Sequence, residues 1–413
     1  MLIKSLHLKN LLSFKDARLD LQPLNVLIGA NGSGKSNLID VIALLQAVPG
    51  DLPAFFRRNG PTGDWVWKGV PEDCEVRMPE ILAAINDPKK PNMPLEYDLR
   101  LDTSDDGVKV IHEGLADIRP AGEQLRRVYF SRNADRSGLV ASTGGTHPEL
   151  TGGTNQIRLN PDALGSAQSV FNAIRDPSSF SVLSATAFRL STIKSYRSWH
   201  VGRNSPVRSP QRTDGDPNFL EEDFSNLALV VNDLLSRRLE PSLDSYLKRF
   251  YESYESLHPR IFGNTVELVI NETGTSSALP ASRLSDGTIR FIALLAILCH
   301  PDPPPLICIE EPEIAMHPDS LGLIAELMRN ASERTQLIVT THSPELVALF
   351  PPEPEAEYVV VCEQDAEEGT RFHRPSYAEL REWQDIYQQT GKELVVYGLS
   401  EMWLSGALGG VRW

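Results

Sequence analysis

The sequence predicts an α/β fold: a mixed or parallel sheet flanked by helices, with an antiparallel β subregion and a helical insertion. Three observations carry this. The apolar run Leu24-Asn25-Val26-Leu27-Ile28 enters a glycine-rich loop, Gly29 to Ser36, and the helical spacing of Asn37 to Leu45 follows. Two more apolar runs, Leu306 to Ile309 and Leu337 to Val339, have the unbroken hydrophobicity of parallel strands buried on both faces. Between the loop and those runs, Glu96–Leu101 and Val108–Ile111 alternate around Asp105-Asp106-Gly107, an antiparallel hairpin signal.

In chain order, Met1–His7 alternates like a strand and does not resemble a signal peptide. With the next residues it forms a hairpin-like entry to the loop strand. Residues 131–165 are rich in Gly, Thr, Ser and Asn, which predicts a long surface excursion, partly mobile. A second loop, Ser205 to Pro217, precedes a helical stripe of Leu227, Val230, Val231, Leu234, Leu235 and Leu239. Its continuation through Leu243, Leu247 and Phe250 predicts an arm or lid. The chain thus divides into an N-terminal lobe (1–180), a helical arm or lid (181–280) and a C-terminal lobe (281–413).

Composition narrows the class. No apolar stretch approaches the roughly 18 residues that span a bilayer, so no membrane partner and a cytoplasmic location are expected. The cysteines Cys74, Cys299, Cys308 and Cys362 show no CxxC pairing, so neither a disulfide nor a zinc site is expected. A net charge of −15 argues against coating nucleic acid by bulk attraction, though a local basic track remains compatible with it.

Gly29-Ala30-Asn31-Gly32-Ser33-Gly34-Lys35-Ser36 is a complete GxxxxGK[ST] pattern, with Asn37 opening the helix. Glycines let successive backbone N–H groups curl around phosphate oxygens, Lys35 brings positive charge to β/γ-phosphates, and the Ser36 hydroxyl can ligate Mg²⁺. The cofactors expected are therefore ATP and Mg²⁺. Three blocks follow in the second half: Leu284-Ser285-Asp286-Gly287-Thr288 opening an apolar helix, Glu310-Glu311-Pro312-Glu313 closing one apolar strand, and Thr341-His342-Ser343-Pro344 closing another. Alone, the first is also a plain helix cap, the second an exposed strand end, and a lone histidine is more often structural. Their order after a phosphate loop makes the joint reading the stronger one.

In that order the blocks resemble the signature, Walker B and switch-histidine elements of an ABC-type P-loop ATPase head. With His317-Pro318 and the tail Leu399–Trp413, the chain resembles the RecF-like and SMC-like branch, in particular stand-alone "AAA family ATPase" proteins related to OLD-family heads. Two departures bear on the hydrolysis rate: Glu310 stands where many heads have aspartate, and Asp286 replaces a signature glycine. No Q-loop glutamine can be placed, since Gln46 sits on the first helix.

The resemblance implies that Lys35 and the loop hold the phosphates, and that Ser36 and Glu310 position Mg²⁺. Glu311 would orient or deprotonate the attacking water, and His342 would sense the γ-phosphate. It further implies that Ser285, Asp286 and Gly287 complete the site of a second subunit, giving a homodimer or higher oligomer around sandwiched ATP.

What the cycle drives stays open between classes. Lys194, Arg197, Arg203, Arg208 and Arg212, interleaved with Tyr196 and Trp199, could track DNA or RNA in repair or antiviral defence. They could equally be a solvated loop with half-buried aromatics. The second class is an ATP-gated regulator of a separately encoded nuclease or toxin. The third, a transporter's nucleotide-binding subunit, is disfavoured because the two strand-end blocks look RecF-like.

Overall fold

The computed structural model describes residues 1–69, 78–87, 90–103, 107–118, 128–133, 140–142, 156–158, 164–174, 176–237, 241–351, 357–382 and 399–404. Cys74, Asp105, Asp106, Leu239 and the tail from 405 to 413 lie outside them.

Strands β1 (Ile3–Leu11) and β2 (Phe14–Asp20) form the expected entry hairpin. Strand β3 (Leu24–Ile28) then runs into the phosphate loop and α1 (Lys35–Ala47), followed by α2 (Leu52–Asn59). An antiparallel series comes next: β4 (Glu80–Asp87), β5 (Lys90–Asp102), β6 (Lys109–Asp117), β7 (Val128–Asn133), β8 (Val140–Ser142) and β9 (Gln156–Arg158). The excursion expected over 131–165 therefore includes two paired strands; its residues 134–139, 143–155 and 159–163 lie outside the described set.

The chain continues through α3 (Val170–Ala173), α4 (Ser181–Ser191), β10 (Lys194–Tyr196), β11 (Gln211–Arg212), α5 (Leu227–Ser236) and α6 (Leu243–Phe250). After β12 (Tyr254–Phe262), β13 (Thr265–Glu272) and β14 (Leu279–Pro280) come α7 (Asp286–Leu298), β15 (Leu306–Glu310), α8 (Leu321–Ser332) and β16 (Gln336–Thr340). Last are α9 (Pro344–Ala348), β17 (Val359–Asp365), β18 (Gly369–His373) and α10 (Leu399–Leu404).

One 14-stranded sheet dominates, in the order β10-β15-β16-β3-β17-β18-β2-β1-β4-β5-β6-β7-β8-β9. Pairing is parallel from β10 to β17 and antiparallel from there on. The period-two geometry of strands explains the layering. Val26, Ile28, Ile307, Ile309, Leu337, Val339 and Val361 face a core shared with α5, α6, α7 and α8. Their neighbours Leu27, Leu306, Cys308, Ile338 and Val360 face a second core with α1, α2 and α4.

The arm or lid expected over 181–280 is corrected by this packing. That span also carries β10 of the main sheet and the small sheet β11-β13-β12, with β14 on β13. The Leu227, Val230, Val231 and Leu234 stripe of α5 and the Leu243 and Leu247 of α6 are buried in the α7 core, with Phe250 stacked 3.9 Å from Phe291. Apolar periodicity showed a buried face, and the surface that covers it is this head's own. Helix α7 is buried from Phe291 to Leu298 for the same reason, and Ser285 caps it by accepting from the Thr288 N–H at 3.0 Å, a contact worth about 1 kcal/mol.

Candidate functional site

Five fully buried residues of β3 aim the chain into the loop, and two glycines let it turn. Gly29 has φ +147° and a Cβ there would sit 2.2 Å from the Cys362 carbonyl oxygen; Gly34 has φ +97° and a Cβ would meet Thr370 Oγ1 at 2.3 Å. No side chain fits at either position. Ala30, Asn31 and Gly32 are exposed at the rim, Ser33 and Gly34 are buried beneath, and Asn37 is half-buried on α1. Lys35 lies 95% buried under the loop, since only 5% of it is exposed, and Nζ donates to the Gly29 and Ala30 carbonyls at 2.8 and 2.9 Å. Burial lowers its pKa, opposed by the charge of Glu311. The Ser33 hydroxyl is buried without a hydrogen-bond partner, a polar atom left over within the cradle.

Strands β15 and β16 lie parallel and in register beside β3, so their carboxyl ends open on the same edge as the loop. Glu310 ends β15. Its carboxyl group is raised above the usual range, first by burial and also by the charge of Asp40, while Arg197 and a hydrogen bond from Ser36 oppose the rise. Glu311 adopts φ +48°, a left-handed conformation costing a side-chain-bearing residue about 1–2 kcal/mol. Its N–H donates to the Thr340 carbonyl at 2.9 Å. The turn separates the two carboxylates: Glu310 meets Arg197, whereas Glu311 Oε1 lies 3.5 Å from His342 Nε2.

Two positions escaped the sequence reading. Glu313 Oε1 accepts from the Thr341 hydroxyl at 2.6 Å and from the His342 N–H at 3.0 Å, which ties the turn after the carboxylates to the histidine strand. Asp40 accepts from Arg197. The first had a signal in its place within Glu310-Glu311-Pro312-Glu313; the second sits four residues beyond Ser36 on one helix face.

The signature block lies against that same turn. A Cβ on Gly287 would approach the Ala315 carbonyl oxygen to 2.7 Å, Asp286 accepts from Arg208, and Ser285 is occupied with its own cap. None of these contacts reaches the phosphate loop of the same chain.

Most residues of the basic track are engaged within the head. Tyr196 is buried and donates to the Leu220 carbonyl at 2.8 Å, so it cannot stack on a base. Trp199 donates to the Glu310 carbonyl at 2.7 Å and packs on Phe224. Arg208 is buried against the Val201, Ala281 and Leu284 carbonyls, Arg197 bridges Asp40 and Glu310, Arg212 pairs with Asp214, and Lys194 with Glu221. Arg203 is exposed. Of these cations, Arg208 and Arg197 are spent on internal carbonyls and carboxylates, while Arg203 and the Arg212–Asp214 pair stay at the surface. Gln46 is likewise engaged, donating to the Ile193 carbonyl at 2.6 Å, and the carboxyl end of β10 presents Arg197.

The set fits the groups the loop implies. A cradle closed by Gly29 and Gly34, a buried cation and an orphaned hydroxyl suit phosphate oxygens. Ser36 and Glu310, near enough for the hydroxyl to oppose the rise of the carboxyl pKa, offer the hard oxygen ligands that Mg²⁺ takes alongside nucleotide phosphates. Among the described residues, no helix is long and apolar enough to cross a membrane.

Comparison with known proteins agrees with the fold. The family model described as "AAA domain, putative AbiEii toxin, Type IV TA system" matches residues 24–348. Among solved structures, an Smc head bound to the C-terminal winged-helix domain of ScpA aligns with TM-score 0.53 at 14% identity, covering 91% of this chain and 99% of that one. The Smc head with an extended coiled coil bound to the C-terminal domain of ScpA, from Pyrococcus furiosus, aligns with TM-score 0.51 at 14% identity, covering 94% and 99%. At that identity the likeness establishes the fold alone, that of an SMC head domain. A search of curated proteins finds no match.

Proposed function

The chain belongs to the AAA-domain family whose model spans most of its length, and on that premise we propose that it is an ATP-binding and ATP-hydrolysing head that dimerises around nucleotide. One observation carries the reading: Lys35, Ser36, Glu310 and the Glu311–His342 pair converge at one carboxyl edge of β3, β15 and β16. Phosphoryl transfer leaves a protein mainly positioning and charge neutralisation, which these groups supply. Lys35 and the loop N–H groups hold the β/γ-phosphates; Ser36 and Glu310 hold Mg²⁺, which when bound neutralises phosphate charge. Glu311 orients or deprotonates the attacking water, and its left-handed backbone aims it away from the metal carboxylate. His342, steadied through its N–H by Glu313, contacts the γ-phosphate.

Ser285, Asp286 and Gly287, turned away from their own loop, complete the site of a second head. ATP-driven pairing then gates a separately encoded effector in defence or repair. The inward-turned basic residues favour this over direct grip on DNA or RNA, and the family's toxin–antitoxin description accords with it.

Mixing variants tests the sandwich. Lys35→Ala and Ser285→Arg proteins, each inactive, should regain one composite site per heterodimer and thus a fraction of wild-type ATPase activity. Complete inactivity in mixtures where heterodimers are demonstrated overturns completion in trans.

A further inference from the structure

Parallel pairing sets Tyr196 beside Ile309, so the next residue on each strand, Arg197 and Glu310, emerge side by side at the sheet edge. Arg197 Nε donates to Glu310 Oε1 at 3.2 Å and Nη1 donates to Asp40 Oδ1. All three are partly buried, with side-chain exposures of 33%, 19% and 25% for Arg197, Glu310 and Asp40. Trp199 fixes the segment from the other side by bonding the Glu310 carbonyl at 2.7 Å. The guanidinium is therefore held in a fork between two carboxylates.

Without Arg197, two carboxylates and a hydroxyl would stand together in a half-buried place, a ready oxygen site for a bare divalent ion. With it, one of the two negative charges is already neutralised. Among the described residues no cluster of three or more His, Cys, Asp or Glu can hold a metal, so any ion here must draw further oxygens from elsewhere. We propose that Arg197 is a resident counter-cation that keeps bare divalent ions off the Asp40–Glu310 pair, so that the metal enters only together with nucleotide phosphates. The proposal rests on the ATP-binding reading above. Phosphate oxygens bring the missing negative charge and ligands, whereupon Glu310 can turn to the metal while Arg197 keeps Asp40.

The test needs no turnover. Mn²⁺ is titrated into nucleotide-free protein and followed by loss of its free-ion EPR signal, then again with a non-hydrolysable ATP analogue. Wild type should bind Mn²⁺ only with the analogue. Arg197→Gln should bind bare Mn²⁺ at least about ten-fold more tightly than wild type, and Arg197→Gln/Asp40→Asn should lose that gain. Arg197→Lys, which keeps the charge and stands in should the glutamine variant not fold, should exclude the bare ion as wild type does. Wild-type affinity for bare Mn²⁺ in Arg197→Gln, or a ten-fold gain in Arg197→Lys, overturns the proposal while leaving ATP binding intact. Absence of Mn²⁺ uptake by wild type with the analogue overturns both.

Discussion

The two halves of the long sheet solve the burial of polar groups in opposite ways. In the parallel half, β3, β15 and β16 are five residues long and carry no charged side chain before their carboxyl ends, where Glu310, Glu311 and His342 follow. In the antiparallel half, charge is buried within the strands. Glu113 on β6 is fully buried, accepting from Tyr97 at 2.9 Å, Ser169 at 2.5 Å and the Val170 N–H at 2.7 Å, and Asp117 accepts from Tyr129 at 2.9 Å. A buried carboxylate with three donors is a fixed pin, because removing one partner exposes the full desolvation cost of the other. A half-exposed carboxylate at a strand end keeps its lone pairs for a ligand. Placement relative to the strand end thus separates groups spent on the fold from groups kept for chemistry.

If that division holds, substitutions in the two halves should change different observables. The largest effect is expected at Lys35. Lys35→Ala should lower ATP hydrolysis by about three orders of magnitude while the protein stays folded, since Nζ bonds only two loop carbonyls. Equal ATPase rates in purified wild type and variant would break the comparison. Next, Glu311→Gln should reduce turnover by about two to three orders yet retain ATP and trap the ATP-dependent oligomer, seen as slow product release and a larger species by light scattering. Normal turnover there, with trapping by Glu310→Gln instead, would reverse the two carboxylates' roles.

The smallest effect, and the one that sharpens the contrast, lies at Glu113. Glu113→Gln should cost about 1–3 kcal/mol of stability near neutral pH with ATP binding unchanged, because the amide must oppose one of three donors with a donor of its own. Burial raises the Glu113 pKa. The native state therefore holds this proton to higher pH than the unfolded chain does, so the contribution to stability is full below the ordinary carboxylate range and declines as pH rises through the raised native value. Melting temperatures measured from mildly acidic to neutral pH should show that decline in wild type and a flatter profile in Glu113→Gln.

The loop, the two carboxylate and histidine strands and the fold class were all legible, because each depends on residues within a few positions of one another. The partners of the basic residues were not legible for the converse reason: Arg197 finds Asp40 157 positions away and Glu310 113 positions away, and no local pattern names such partners. The stripe on α5 announced a buried face without saying that α7 covers it. Glu113 sits in an alternating strand where a polar residue ordinarily faces water, so nothing marked it as buried. The left-handed turn at Glu311 was equally silent, since an ordinary Glu-Glu-Pro gives no sign of positive φ.

In the sheet, strands β17 and β18 lie between the two halves, with β17 on β3 and β18 on β2. The same hairpin walls the phosphate loop: the Cys362 carbonyl closes on Gly29, and Thr370 Oγ1 donates to the Ser33 carbonyl at 3.0 Å. It lies beyond residue 348, where the family match stops. During synthesis the sheet therefore cannot close until residues near 373 have left the ribosome. A nascent chain ending before Val359 carries two half-sheets whose facing edges, on β3 and β2, are open to pairing with other chains. The nucleotide loop thus acquires its final walls only once Cys362 and Thr370 have been translated.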